Sequence, residues 1–399
     1  MSVSEGNNIN TADACIKLLS DCINREKTLL STDSINWGNL VDSCKRHEIS
    51  CFLYSQCNQI IPDSYKKEVE QQYSAAVFFY ANRTHVEKEI LESLKEKGID
   101  CFIVKGSKVA EYYPNPFFRT MGDTDLVVHR ENRDEVHDIL LSMGFHNQSH
   151  FDDREWVYER NGMKLELHDH LVYTEAVNGE GHADFFNDFW KYVSDGELDW
   201  SFHFLFLIFH MRKHFMNGGI GFRNFADIAV LTKYNGNLNW GWIEEKLSDL
   251  GMLEFAQKVF ALNKEWFGIV PLLRLLPIEE EFVQEAKEFI YGNGVFGVSE
   301  EENAKNLAVN NVRINEKKNL GFRKVIRGFF PRYSSLITAE KYSFLVGRKY
   351  LLPVAWVYRA IRSAKERRTK RAVKSLVRVS FVSKKEVQER EKVLKEWGL

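Results

Sequence analysis

"RTMGDTDLVVH", residues 119–129, sets two aspartates, Asp123 and Asp125, one residue apart at the head of an apolar run, Leu126 to Val128. Side chains on a strand alternate between its two faces, so positions 123 and 125 project together. Like charges that close raise each other's pKa unless something positive lies between them. The usual agent is a divalent cation. The flanking sequence decides whether the pair belongs to such a site.

Upstream, "CFIVKG" (101–106) reads as a buried strand. "SKVAEYY" (107–113) follows as a short helix, ended by Pro114 and Pro116. A glycine at this strand-to-helix turn, Gly106, lets the backbone approach a ligand closely, and the free N–H groups of a helix start favour phosphate. Ser107 adds a hydroxyl for a phosphate oxygen. Lys105 and Arg119 flank the motif, and either read as phosphate partners or as plain surface charges.

Downstream, "ENRDEVHDILLSMGF" (131–145) has the pattern of an amphipathic helix closed by Gly144. "REWVYERNGMKLELHDHL" (154–171) carries Asn161-Gly162 between two alternating runs, a strong short-range hairpin signal. In its second strand Leu165 and Leu167 face one way, and Lys164, Glu166 and His168 the other. Glu166 is the best-placed third carboxylate for the aspartate pair, with His168 and Asp169 as competitors. Magnesium bridging such carboxylates and triphosphate oxygens would neutralise both, and two ions are expected.

These residues resemble a known group. From Lys105 to Val128 the chain is similar to the nucleotidyltransferase core of the DNA polymerase beta superfamily, with its Gly-Ser turn, helix and Asp-x-Asp strand. More narrowly it looks like a poorly characterised bacterial nucleotidyltransferase family with the pattern "KG…LA..YY…R…D.DLLV". The wider match takes in "LELHDHL", "HMRKHF…GFRNFADIAVL", "FFPRY" and "YLLPVAWVYRAIR", roughly residues 80–365. That family commonly has Gly at the second turn position; Ser107 matches the broader superfamily instead. The resemblance implies an α+β fold: a small mixed-sheet nucleotidyltransferase core embedded in largely helical N- and C-terminal segments.

With 399 residues the chain is long enough for two or three domains. We expect a helical segment over 1–98, the nucleotidyltransferase core over 99–178 and a helical domain over 179–296. A polar, aperiodic stretch at 297–319 reads as a mobile loop, and 320–399 as a basic helical segment. From about residue 180 onward the pattern is helical to the end. No opening segment combines a basic start, an apolar run and a small-residue cleavage site, so no secretory signal is expected; "FHFLFLIFHM" (202–211) is too short to span a bilayer and reads as a buried helix. The six cysteines fall within the first 101 residues without a CxxC pair. They read as reduced thiols of a cytoplasmic protein, not as a zinc site or disulfide frame.

The net charge of −2 hides a split: residues 317–399 hold 23 Lys and Arg against 6 acids, while the rest holds 31 against 50. The basic tail either packs on the acidic body, contacts nucleic acid, or lies on an anionic membrane. His210 and His214 stand four apart on one helix face, as do Arg223 and Asp227, a spacing that suits a salt bridge. These four read as a buried polar network or as contacts to the nucleotide base or acceptor.

The expected activity is Mg-dependent transfer of a nucleoside monophosphate from an NTP to an unidentified hydroxyl or phosphate acceptor, with release of pyrophosphate. Asp123, Asp125 and Glu166 would hold the metal; Gly106, Ser107, Lys105 and Arg119 the nucleotide. The alternative is a non-catalytic nucleotide-binding or scaffold protein, membrane-associated, in a polysaccharide or peptide-tailoring assembly.

Overall fold

The computed structural model describes residues 10–30, 35–151, 155–172, 182–217, 219–294, 309, 333–336, 344–345, 347–365 and 384–399. The chain divides into two compact units, 1–215 with 219–297, and 216–218 with 298–399.

The first unit opens with four helices: α1 (Thr11–Ile23), α2 (Trp37–Arg46), α3 (Ser50–Cys57) and α4 (Asp63–Glu96). Asn10 and Asn36 cap α1 and α2, their side-chain oxygens accepting the amides of Ala12 and Asn39, each at 3.0 Å. Gly98 ends α4 with φ +69°, a left-handed backbone that glycine adopts without a Cβ clash. The helical segment expected over 1–98 closes with this 34-residue helix.

The core follows as β1 (Cys101–Val104), α5 (Gly106–Ala110), β2 (Asp123–Val128), α6 (Arg133–Ser142), β3 (His146–Phe151), β4 (Glu155–Arg160) and β5 (Met163–His168). The sheet order is β1-β2-β5-β4-β3. Only the β2–β5 pair is parallel, so the sheet is mixed as expected. Asn161 (φ +50°) and Gly162 (φ +78°) make the β4–β5 turn with both central residues left-handed, which is why Asn-Gly signals this hairpin. One sheet face buries Leu126, Val128, Leu165 and Leu167 against Val86, Ile90 and Leu94 of α4 and Val136, Ile139 and Leu140 of α6. The opposite face of β2 and β5 is thereby left for Asp123, Asp125, Glu166 and His168. Strand β3 has no sequence signal: "HNQSHF" does not alternate, because it is an edge strand with a bulge between Asn147 and Ser149.

Among the described residues six helices then complete the unit: α7 (His182–Asn187), α8 (Trp200–Asn217), α9 (Phe222–Tyr234), α10 (Trp240–Asp249), α11 (Leu253–Phe267) and α12 (Glu280–Asn293). The expectation of unbroken helix from residue 180 is corrected by a small hairpin, β6 (Val193–Ser194) and β7 (Glu197–Leu198). Asp195 (φ +53°) and Gly196 (φ +76°) form its turn, so an Asp-Gly hairpin signal was present in the sequence and outweighed by its helical flanks. The apolar run at 202–211 is indeed a buried helix, with Phe202, Phe204, Phe206 and Phe209 in the core of α8. Among the described residues no helix is long and apolar enough to cross a membrane.

In the second unit, helices Leu352–Lys365 and Lys384–Glu396 are described, with Leu336, Leu345 and Ala355 as a small core. The loop expected at 297–319 lies outside the described residues except for Val309, as does much of the basic segment. All six cysteines are free thiols, five of them buried. Burial pushes Cys22 up to about 11 and Cys51 to about 12, which makes them poor nucleophiles.

Candidate active site

The parallel register pairs Asp125 with Glu166 and Val127 with His168. Paired positions on adjacent strands project to one face about 4.8 Å apart, so Asp125, Glu166 and His168 meet on the sheet face that the helices α4 and α6 leave open. One donor atom from each lies within 4.8 Å of the other two. His168 Nε2 is 3.1 Å from Asp125 Oδ1 and 3.8 Å from Glu166 Oε2. Asp169, the competing acid, is occupied elsewhere: Arg133 Nη1 reaches it at 3.0 Å and His170 Nδ1 at 2.8 Å.

Asp123 shares the strand face but sits nearer the solvent, with its side chain 42% exposed and Lys164 Nζ 3.8 Å from Oδ2. It lies outside the three-donor cluster. Lys164 also pairs with Glu166.

Lys105 occupies the centre. Its Nζ is 2.8 Å from Asp125 Oδ1, and its backbone takes φ +59°, a region non-glycine residues adopt at a cost. The amide N–H so directed donates to His203 Nε2 at 2.9 Å. Burial alone would raise the Asp125 carboxyl, but Lys105 and His168 outweigh it and hold the group well below the usual carboxylate range. The α8 side chains His203, Phe206 and His210 form the wall beside Lys105, whose Nζ lies 6.0 Å from the Phe206 ring centroid. His210 and His214 are hydrogen-bonded through their Nε2 atoms at 3.1 Å. Burial first, then the Lys105 charge, drives the His210 imidazole well below its ordinary value.

His203 gives a pH prediction. Burial first, then Lys105, Lys108 and Arg119, pushes it down to about 3, while Asp125 acts weakly the other way. Its Nε2 accepts the Lys105 amide, so a proton there would break that bond. Below pH about 6.5 the unfolded chain takes up a proton that the native chain refuses, and stability falls by about 1.4 kcal/mol per pH unit for this group. Urea midpoints from pH 7 to 4 should fall less steeply in His203→Gln, whose amide oxygen keeps an acceptor, than in the wild type. Parallel curves would show that His203 does not titrate with folding.

The turn upstream is held from α4, by residues no motif announced. Thr124 Oγ1 donates to buried Glu87 at 2.6 Å and accepts from Arg83 Nη1 at 2.9 Å. Arg83 Nη2 also donates to the Met121 carbonyl at 3.2 Å. Ser107, expected at a phosphate, hydrogen-bonds Glu87. A Cβ on Gly106 would come within 3.2 Å of Met121 Sδ, so the turn is packed closely against the lead-in to β2. The legible signal for this network was Arg83 and Glu87, four apart, on the otherwise apolar face of α4 with Val86 and Ile90.

Arg119 is buried and forked onto Asp227, Nε to Oδ1 at 2.8 Å and Nη2 to Oδ2 at 2.9 Å; Tyr113 Oη donates to the same Oδ1 at 2.6 Å. The salt bridge expected between Arg223 and Asp227 is therefore corrected. Asp227 goes to Arg119, and Arg223 goes to Glu48 and to the Thr120 carbonyl at 3.0 Å. Helix spacing allowed the first pairing, but two partners from distant segments reach these side chains with better geometry. A cavity of about 410 Å³, walled by Phe79, Tyr80, Phe117 and Arg83, adjoins Thr120 to Gly122 at the entrance to β2.

Two carboxylates and an imidazole on rigid paired strands suit a divalent cation. Donors at right angles around an ion at about 2.1 Å lie about 3 Å apart, close to the 3.1 Å between Asp125 Oδ1 and His168 Nε2.

A family model described as an uncharacterised nucleotidyltransferase matches residues 33–268, more than half of the chain. The match runs from just before α2 to the end of α11 and includes every side chain of the candidate site. No curated protein and no solved structure matches the chain.

Proposed function

The chain belongs to the uncharacterised nucleotidyltransferase family, and from that premise we propose that it transfers a nucleoside monophosphate from an NTP to a hydroxyl or phosphate acceptor. The acceptor oxygen bonds to the α-phosphorus, the bond from that phosphorus to the β-bridging oxygen breaks, and pyrophosphate leaves. The observation that carries this reading is the parallel β2–β5 register, which sets Asp125 beside Glu166 and His168 next to the Gly106–Ser107 turn.

Asp123, Asp125 and Glu166 are the residues proposed to hold magnesium, two ions by expectation. Bound there, the metal would neutralise the triphosphate and the charge developing in transfer. Glu166 is placed to accept the acceptor's proton. The Gly106 and Ser107 amides at the start of α5 would hold the phosphates. Lys105, released from Asp125, would supply a cation for the leaving pyrophosphate. Arg119 serves the site indirectly, by anchoring the segment that enters β2.

Calorimetry with each of the four NTPs, with magnesium and then with EDTA, tests the reading. Metal-dependent binding of at least one NTP is expected, and its loss in a folded Asp123→Asn/Asp125→Asn variant. Binding that survives in that variant would place the nucleotide elsewhere, and no binding by folded wild type would favour the scaffold reading.

A further inference from the structure

We propose that Asp125, Glu166 and His168 form a mixed oxygen–nitrogen site that selects a first-row transition cation over magnesium, with His168 Nε2 as a direct ligand and Lys105 as the ammonium the cation displaces. The inference deepens the reading above and rests on it: of the two ions expected there, the one shared by Asp125 and Glu166 is the transition cation, and Asp123 stays with the magnesium that comes with the NTP.

An all-carboxylate site has no nitrogen donor, and magnesium keeps to oxygen ligands and its own waters. Here the third donor within reach is an imidazole. His168 follows Glu166 by two residues, so the same pleat that brings Glu166 to Asp125 brings His168 to that face. Its Nε2 lies 3.1 Å from one carboxylate oxygen and 3.8 Å from the other. The shorter contact is a hydrogen bond in the metal-free chain, and an ion that replaced its proton would find donors already at the spacing of neighbouring ligands. Imidazole raises affinity for first-row transition metals and adds little for magnesium.

Lys105 supplies the second half of the argument. Its Nζ lies 2.8 Å from Asp125 Oδ1, the same oxygen that faces His168. A cation bound between Asp125 and His168 must take that oxygen from the ammonium. Lys105 neutralises Asp125 and Lys164 neutralises Glu166 without metal, and the Lys105 pair sets a threshold that a weakly held ion does not pass. Asp169 is removed from the competition by Arg133, and Asp123 lies outside this three-donor cluster, nearer the solvent.

Manganese is the probe, because its unpaired electrons report a nitrogen ligand directly. The full chain without nucleotide is titrated with Mn²⁺, and pulsed electron paramagnetic resonance reads ¹⁴N coupling to the bound ion. The wild type should bind Mn²⁺ with clear ¹⁴N modulation and release it only to a large excess of Mg²⁺. In folded His168→Gln the modulation should vanish and Mn²⁺ affinity should fall at least about tenfold, with Mg²⁺ affinity within about twofold. Lys105→Met, which removes the competing ammonium, should tighten Mn²⁺. Modulation that is absent in the wild type, or persists in His168→Gln, overturns the nitrogen ligand. Competition by equimolar Mg²⁺ overturns the selectivity, and weaker Mn²⁺ binding in Lys105→Met overturns the displacement. No Mn²⁺ binding at all overturns the whole proposal. NTP binding with magnesium, measured separately, distinguishes these failures from failure of the transferase reading, since that binding would survive them.

Discussion

Asp125→Asn should abolish cation-dependent NTP binding and also destabilise the fold, by about 3 kcal/mol. Both effects come from one carboxylate. Asp125 is the buried counter-ion of Lys105, 2.8 Å away, and is hydrogen-bonded to His168 at 3.1 Å. An amide keeps the shape but leaves the ammonium with only Glu166 and Asp123 farther off. Breaking a buried pair from one side strands the other charge, which costs more than the pair itself contributes.

The two effects separate in the double variant Asp125→Asn/Lys105→Met. Removing the stranded ammonium should restore most of the urea midpoint, while NTP binding stays lost. A single variant as stable as wild type would mean that Lys105 is solvated well enough to stand alone. The pH dependence carries a sign. A carboxyl held below its unfolded value contributes stability that is present above pH about 4 and is lost as pH falls through the native pKa. The acid limb of the wild-type stability curve should therefore be steeper below pH about 4 than that of Asp125→Asn.

Asp227→Asn should cost about 3–5 kcal/mol of stability, the largest purely structural effect expected in the chain. Arg119 and Asp227 are each only 9% exposed at the side chain, joined by two parallel N–H···O bonds, with Tyr113 donating to the same carboxylate. The variant leaves a guanidinium buried with no matching anion. Urea unfolding followed by circular dichroism measures the loss, and Arg119→Met/Asp227→Leu, which removes both charges, should recover much of it. The contrary result has a distinct meaning. A variant that loses less than about 1 kcal/mol but no longer binds NTP would return Arg119 to the role its sequence position suggested, a contact to phosphate.

The reading of "KGS" and "DTDLVV" from local pattern reached the right strands and turn, and the family resemblance supplied the mixed sheet. An Asp-x-Asp pair heading an apolar run can only project two acids to one face, and Asn161-Gly162 with positive φ can only fold its flanks into a hairpin. These are properties of neighbours within a few residues, which the chain order displays. The edge strand β3 escaped because its partners, not its own residues, make it a strand. The β6–β7 hairpin escaped although Asp195-Gly196 announced it, since each strand is two residues long.

The candidate site divides along the same line. Asp123, Asp125, Glu166 and His168 were legible as acids and an imidazole on polar strand faces. Which of them converge was not. Convergence depends on β2 lying parallel to β5 across 30-odd intervening residues, and on a register that sets 125 against 166. The partners of Lys105, Arg119, Arg223 and Ser107 were also beyond reach. Each is held by a residue from a distant segment, respectively Asp125 with His203, Asp227, Glu48 and Glu87. The sequence by itself determined the strand faces, the turns and the chemical character of the site, because periodicity and local backbone freedom are short-range. Only the tertiary structure decided which charges neutralise one another, because a buried charge takes whichever opposite group the packed chain brings within about 3 Å.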